Sequence, residues 1–484
     1  MSNLVFVSPE SLGIPSGAVR EFLCELEEKR LCMHGFLMLR HGKVAAEAYW
    51  QPFNANRKHR MYSISKSFTS IAIGMMIEAG KISLESKVSD LFPEYMPNDP
   101  HEYLLETTVR DLLMMATCNR NPSYSDKTHD FAQSFFADTG PKHKPGQVFY
   151  YDTAATVVLC SIVEKLSGKK MLEYMKPVLD EIGFSQDAYC IEAPDGSSWT
   201  GSGILCTPRD LACFALLCLN GGEWNGKQLV NRDFVHAATS WQIDTSVSAA
   251  NGESRYGYGY QFWRLRKGGF AMIGMGGQFA VCMPENGTIL ITTADSQGTE
   301  GAADILLDAY YRLADKLSPD ALPEDATARD MLNEKISKLT IPQPIGRNST
   351  QLEIPKKKYI LDENEAGFKW LRFYKEENKC RLQYENKTGE HELVFGMGEY
   401  LPGLFPEKYY GRRIGTKDTN YQCICAGAWA DDKTFLGTVY SVDDHLGSVR
   451  LQLTFSDEKV SVYMVKAAEW FFDGYQGFLS GKLY

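Results

Sequence analysis

The chain has 484 residues, 44% of them apolar, and carries 51 basic against 61 acidic side chains for a net charge of −10. That length is too great for one core, so two domains are the natural expectation. The acidic balance and the lack of any basic cluster exclude a nucleic-acid binder, and no run reaches membrane-spanning length.

In chain order, Met1–Pro9 lacks the basic start and long apolar core of a secretory signal, which points to a reduced, cytoplasmic protein. The most informative stretch is Met61-Tyr-Ser-Ile-Ser-Lys-Ser-Phe-Thr-Ser70. Ser63-x-x-Lys66 sets a hydroxyl and an amine one helical turn apart on one helix face. A serine hydroxyl needs a neighbouring base to become a nucleophile, and a desolvated lysine can be that base. The same spacing recurs at Ser167–Lys170 and Ser456–Lys459. Only Ser63 opens a long apolar, helix-forming run, Phe68 to Ala79, stopped by Gly80. A serine in the first turn has N–H groups and the positive end of the helix dipole beside it, both suited to an oxyanion. Ser167 falls where a helix finishes, and Ser456 in a polar turn between strands.

Further on, Pro145-Gly-Gln-Val-Phe-Tyr-Tyr-Asp-Thr153 leads into an amphipathic helix closed by Gly168. Phe270-Ala-Met-Ile-Gly-Met-Gly-Gly-Gln-Phe279 precedes a strand and a turn ending at Gly287. Residues 318–350 are turn-rich and proline-punctuated and read as a linker between a domain at 1–317 and one at 351–484. The second domain shows at least seven short strand-like runs: 369–374, 380–384, 391–395, 421–428, 435–441, 448–455 and 459–465. That spacing predicts a sandwich or barrel. The aromatic end, Trp470 to Phe478, is expected to pack as core or interface.

Taken together, Ser63-x-x-Lys66, the Pro145–Thr153 segment and the Gly274–Gln278 segment resemble the three motifs of the class C β-lactamase-like serine hydrolases. That superfamily includes penicillin-binding esterases, D-aminopeptidases and 6-aminohexanoate-oligomer hydrolases. The resemblance runs from about residue 8 to 315 in the expected order. It includes signposts at His34–Lys43, Thr108–Leu113, Gly201–Ala212 and Leu219–Lys227. It implies an α/β (α+β) fold, an antiparallel sheet flanked by helices with a helical subdomain, followed here by a C-terminal all-β barrel-like domain. In length and texture that domain resembles the lipocalin-like barrels of some multidomain relatives.

The resemblance also implies roles. Ser63 would attack a carbonyl, while Lys66 and Tyr151 share the proton traffic, with Tyr150 next door as the alternative tyrosine. The family reads Tyr-x-Asn or Tyr-x-Ser where this chain has Tyr151-Asp152-Thr153. The oxyanion donors would be the N–H of Ser63 and one from Met275-Gly276-Gly277-Gln278, Gln278 by motif position. True β-lactamases carry Lys-Thr-Gly in this motif, and here the first position is the uncharged Met275. That favours an esterase, amidase or peptidase acting on a small-molecule or peptide-like substrate over an efficient β-lactamase. Arg264 and Arg266 are candidates to bind a substrate carboxylate elsewhere, or are surface arginines on a hairpin.

The 12 cysteines mostly sit in apolar surroundings, the 9 histidines are scattered, and no Cys-x-x-Cys is matched by a histidine pair. No metal or cofactor is expected. A second reading is a catalytically silent binding protein whose C-terminal barrel holds a ligand, favoured by Met275 and by the Asp152-Thr153 pair.

Overall fold

The computed structural model describes all residues except 1–3, 120–129, 138–139, 141–142, 249–251, 409–419, 457 and 470–471. The described chain forms two compact units. One is built from the residues through Ser296 with Gly301–Ile341, the other from Gln297–Glu300 with the residues from Pro342 onward.

In the first unit a seven-stranded sheet contains β1 (Val5–Phe6), β2 (Met33–Arg40), β3 (Lys43–Tyr49), β4 (Trp263–Arg264), β5 (Phe270–Gly274), β6 (Gln278–Met283) and β7 (Thr288–Ala294). The strand order is β1-β3-β2-β7-β6-β5-β4, antiparallel except that β1 runs parallel to β3. β2, β6 and β7 are buried along their whole length. A strand in the middle of a covered sheet is apolar on both faces, which is why these read as continuous hydrophobic runs.

The helices that matter for the site are α1 (Ser16–Glu28), α2 (Ser65–Glu78), α3 (Thr153–Ser167), α4 (Pro208–Leu219), α5 (Ala302–Ala314) and α6 (Ala326–Ser337). α2 is the core of the unit. It is apolar around most of its circumference, as a helix surrounded by protein must be, and Phe68 stacks on Phe214 of α4 with ring centroids 3.7 Å apart. α3 closes on Gly168 in the left-handed conformation. A threonine–aspartate capping box starts α4 (Thr207, Asp210), and a second, Thr108 with Asp111, starts the short helix Val109–Leu113. Much of the stretch expected to be a linker is ordered, because α6 packs against α1.

The second unit is a barrel. Its strands are β8 (Tyr359–Leu361), β9 (Trp370–Glu376), β10 (Lys379–Asn386), β11 (Gly389–Met397), β12 (Leu401–Lys408), β13 (Asn420–Trp429), β14 (Thr434–Val442), β15 (Leu446–Ser456), β16 (Lys459–Ala468) and β17 (Gly477–Leu483). Neighbours pair in the order β11-β10-β9-β8-β17-β16-β15-β14-β13-β12, and a parallel pairing of Gly396 and Met397 with Ala426 and Gly427 joins β11 to β13. That pairing closes a nine-stranded ring and removes its edges. All seven expected runs are strands. β8, β12 and β17 were not anticipated. Phe373, Trp429, Phe435, Phe455, Phe472 and Tyr475 fill the interior, while Trp470 and Phe471 lie outside the described residues.

Three neighbouring polar groups, Cys32, His34 and His59, are buried in the first unit. His59 Nδ1 lies 3.1 Å from Arg60 O, a carbonyl that can only accept, so Nδ1 carries the proton. His59 Nε2 therefore accepts from His34 Nδ1 at 2.7 Å, and His34 Nε2 faces Cys32 Sγ at 3.6 Å. Burial pushes His59 down to about 4 and His34 well below its ordinary value. In the unfolded chain both take up a proton near 6.5, so their contribution is complete above that pH and lost as the pH falls toward 4. For His59 alone the loss approaches roughly 3 kcal/mol at the acid end. Thermal unfolding followed from pH 7 to pH 4 should show a falling midpoint, and the fall should be shallower in the His34→Leu/His59→Leu double variant.

Candidate active site

Ser63 stands in a 3-10 turn, Tyr62–Ile64, directly ahead of α2. Tyr62 has φ 48°, in the left-handed region that costs a bulky L-residue energy. Surroundings that hold Tyr62 there are therefore fixing the turn that presents Ser63. Arg60 lies over the Tyr62 ring at 4.5 Å, and Met61 N donates to Ile204 O at 2.9 Å. Ile204 N in turn donates to Ser65 Oγ at 3.0 Å, so the 201–206 segment is laced to both sides of the turn.

Lys66 is buried, 2% exposed. Its Nζ is 3.1 Å from Ser63 Oγ and donates to Gly201 O at 2.5 Å. Burial lowers the amine to about 7, against the weaker pull of Asp152 in the other direction. A neutral amine keeps an N–H for the Gly201 carbonyl and has a lone pair that can accept a proton from Ser63 Oγ. The ammonium form would lie 5.2 Å from the Tyr151 ring centroid. Tyr151 stacks on Trp263 at 5.5 Å and meets Tyr258 edge-on, so an aromatic wall flanks the amine. Tyr150 is 43% exposed. Ser63, Lys66 and Tyr151 thus converge from two elements far apart in sequence.

Asp152 caps α3, its Oδ1 accepting from Ala154 N at 2.8 Å. Its other oxygen, Oδ2, is buried with no hydrogen-bond partner among the described residues, and burial raises the carboxyl to about 7. Below this, Gln261 ties three elements together. It accepts from Thr156 Oγ1 at 2.7 Å, donates to Leu112 O and Leu113 O, and its own carbonyl accepts from Ser67 Oγ at 2.7 Å.

The β5–β6 hairpin forms the other side. A Cβ on Gly274 would lie 2.3 Å from Met61 O, so only glycine lets the end of β5 come this near the turn carrying Ser63. Gly276 and Gly277, at φ 86° and 100°, make the tip. Met275 is 52% exposed there, whereas Gln278 is fully buried. Gln278 sits on β6 opposite Gly274, its Nε2 donating to Met275 O and Ala294 O at 2.7 Å and its Oε1 accepting from Ala294 N at 3.0 Å. Its side chain braces the hairpin from behind.

Other sequence candidates find structural partners. Arg264 donates to Thr239 O at 2.5 Å, and Arg266 pairs with Glu253 and Asp308, so both are engaged away from Lys66. Ser167 caps its own turn through Lys169 N, and Ser456 pairs across a strand end with Lys459. Cys160, Cys206, Cys213, Cys218 and Cys282 are buried thiols within the core. Among the described residues no three His, Cys, Asp or Glu side chains are grouped as they would be round a metal ion, and no helix is long and apolar enough to cross a membrane. Sequence reasoning singled out neither the Gly201 carbonyl nor the isolated oxygen of Asp152. A cap is legible in Asp152-Thr-Ala-Ala, but its burial is not.

With this geometry, comparison with known proteins is decisive. A family model described as Beta-lactamase matches residues 35–313. The chain belongs to the beta-lactamase family. It is 26% identical over 300 residues, 56% of this chain and 74% of the relative, to a 6-aminohexanoate-dimer hydrolase of Paenarthrobacter ureafaciens. An octameric penicillin-binding protein homologue from Pyrococcus abyssi is 15% identical with a TM-score of 0.51, covering 96% of this chain and 99% of that one. EstCE1, a hydrolase with promiscuous acyltransferase activity, is 16% identical with a TM-score of 0.50 over 61% of this chain and 98% of its own. At such identities the two structural likenesses are of fold. The beta-lactamase-like fold with an added barrel is the expected one.

The close approach at Gly274 gives a test of how this family member assembles its site. Gly274→Ala should destabilise the protein by about 1–3 kcal/mol through overpacking. Gly17→Ala, in α1 with open space around it, should be neutral or stabilising by about 1 kcal/mol. Urea unfolding of the two variants separates these outcomes.

Proposed function

We propose that this protein is a serine hydrolase that cleaves an ester or amide through an acyl-enzyme on Ser63. The observation that carries the reading is the buried Lys66 amine, brought to about 7 and 3.1 Å from Ser63 Oγ. A base is most useful when its pKa lies near the working pH.

In the proposed sequence Ser63 Oγ forms a bond to the substrate carbonyl carbon as its proton passes to Lys66 Nζ. The carbonyl electron pair moves onto oxygen, where two backbone N–H groups stabilise it. Ser63 N–H is one. Motif position makes the N–H of Gln278 the other, in the hairpin that Gly274 brings close to Met61. The tetrahedral species then expels the leaving group, which takes the proton back through Lys66 with Tyr151 beside it. Water repeats the steps to free Ser63.

The substrate side of the reading rests on what is missing. Met275 brings no charge to the hairpin tip, and Arg264 and Arg266 are engaged elsewhere. Tyr151, Trp263 and Tyr258 form an uncharged aromatic wall. A group that is uncharged next to the scissile bond fits best, and the likeness to a 6-aminohexanoate-dimer hydrolase makes linear amides the first class to try.

Intact-mass analysis with a fluorophosphonate probe should give one adduct on the wild type and none on Ser63→Ala. A folded wild type that takes no label would instead favour the silent binding protein. Lys66→Ala should slow ester turnover by about 10²–10⁴-fold with the fold retained; an unchanged kcat would remove Lys66 from the mechanism. Tyr151→Phe should slow acylation while Tyr150→Phe leaves it near wild type, since the Tyr151 ring lies 5.2 Å from the amine.

A further inference from the structure

Burying a guanidinium is costly, and Arg60 is only 3% exposed. Packing does not account for it, because an uncharged side chain of similar length would fill the same space without the desolvation cost. Its surroundings show what the side chain holds. Arg60 lies against two buried rings, 4.5 Å from the Tyr62 centroid and 4.9 Å from that of Trp199. Its Nε donates to Ser202 O at 2.9 Å, and its Nη2 donates to Ser202 Oγ at 3.3 Å.

The two stretches gripped in this way lead to the two halves of the candidate site. Tyr62, held at φ 48°, precedes Ser63. Gly201, whose carbonyl accepts from Lys66 Nζ at 2.5 Å, precedes Ser202. Backbone pairing joins the stretches as far as Ile204: His59 and Arg60 pair with Cys206 and Leu205, and Met61 N donates to Ile204 O. Beyond Ile204 the strand gives way to a turn in which Ser202 N and Gly203 N donate to Trp199 O at 3.2 and 2.8 Å. Gly201 sits inside that turn, where its carbonyl is placed by the turn and not by a ladder.

We propose that Arg60 is a positioning residue whose guanidinium clamps the 199–203 turn against the Tyr62 turn, so that the Gly201 carbonyl aims the Lys66 amine at Ser63 Oγ. The inference rests on the serine-hydrolase reading above. Arg60 takes no proton and forms no bond in the reaction; it acts through Lys66. A planar guanidinium suits the task because its faces meet rings while its edge donates to two oxygens of one residue. An ammonium is a point charge and cannot do both. Misplacing a reacting group by about 1 Å is worth about 10²-fold in rate, so a clamp one residue from the acceptor of Lys66 has leverage on the chemistry.

The experiment is the rate of fluorophosphonate labelling of Ser63, per folded molecule, in wild type, Arg60→Met and Arg60→Lys, with p-nitrophenyl acetate turnover measured beside it. Urea unfolding gives the folded fraction of each. Arg60→Met keeps a long stem that packs well against aromatic rings and loses the donors. It should label about 10- to 100-fold more slowly, with kcat falling by a similar factor and KM near wild type. Arg60→Lys should recover little of the loss. A residue that serves stability alone would lower the urea midpoint and leave the rate per folded molecule unchanged, and that result would overturn the proposal. It is also overturned by a raised KM with unchanged kcat, which would place Arg60 in substrate binding, and by full recovery in Arg60→Lys, which would leave the fork without a purpose. Failure of both variants to fold would make Arg60 a residue of the fold and nothing more. A wild type that takes no label defeats the hydrolase reading and this inference together. A labelled wild type with unslowed variants defeats this inference alone.

Discussion

The first unit is organised around one desolvated amine. Bringing a lysine from 10.5 to about 7 means that the charged form is disfavoured by roughly 5 kcal/mol relative to water. Nothing local to Ser-x-x-Lys does this; a helix surface would leave the amine solvated. It requires α2 to be covered on almost every side, by α3, by α4 through the Phe68–Phe214 stack, and by the 201–206 segment. The hydrophobic core and the candidate chemistry are therefore the same object. A cavity beside Phe68 would admit water to Nζ as well as weaken packing.

The polar atoms near the amine follow from that burial. Once water is excluded, each donor and acceptor must find a protein partner, and the partners are largely backbone: Gly201 O for Lys66, Ile204 N for Ser65, Gln261 O for Ser67. These bonds fix segments 135 to 194 residues away in sequence against the Ser63 turn. Gly274 does the same by the absence of a side chain. Asp152 Oδ2 is one of several buried oxygens without a partner among the described residues, with Ser70 Oγ on α2 and Thr200 Oγ1 beside Gly201.

How much of this was legible depended on the range of the signal. α2 and α3 were readable because an apolar run ending in glycine, Gly80 and Gly168, is a local pattern, and the seven barrel strands because alternation and turns are local too. β8 was missed because it is three residues long, and β17 because its glycines and aromatics hide the alternation. β12 begins Leu-Pro-Gly, residues that argue against a strand until the outer position it takes beyond the closed ring is known. In the site, Ser63 and Lys66 came from one motif and Tyr151 from its distance after Pro145-Gly146. Gln278 was read from motif position as a backbone donor, and what motif spacing could not supply is the anchoring of its side chain on Met275 and Ala294.

The two units place different demands on their interiors. The barrel is filled by packed aromatic rings, Phe373 against Trp429, Phe435 and Phe455 at 4.7–6.0 Å, and its polar groups answer one another: Tyr475 hydroxyl donates to Glu407, and Asn386 and Thr388 do likewise. A carboxylate with three donors has little left to offer a ligand. The first unit shows the opposite pattern at Lys66 and Asp152, where two ionisable groups are buried with fewer partners than they can use. Selection for stability alone would replace such a pair with apolar side chains of similar volume, at little cost or with some gain. These two buried ionisable groups near Ser63 are what the serine-hydrolase proposal draws on.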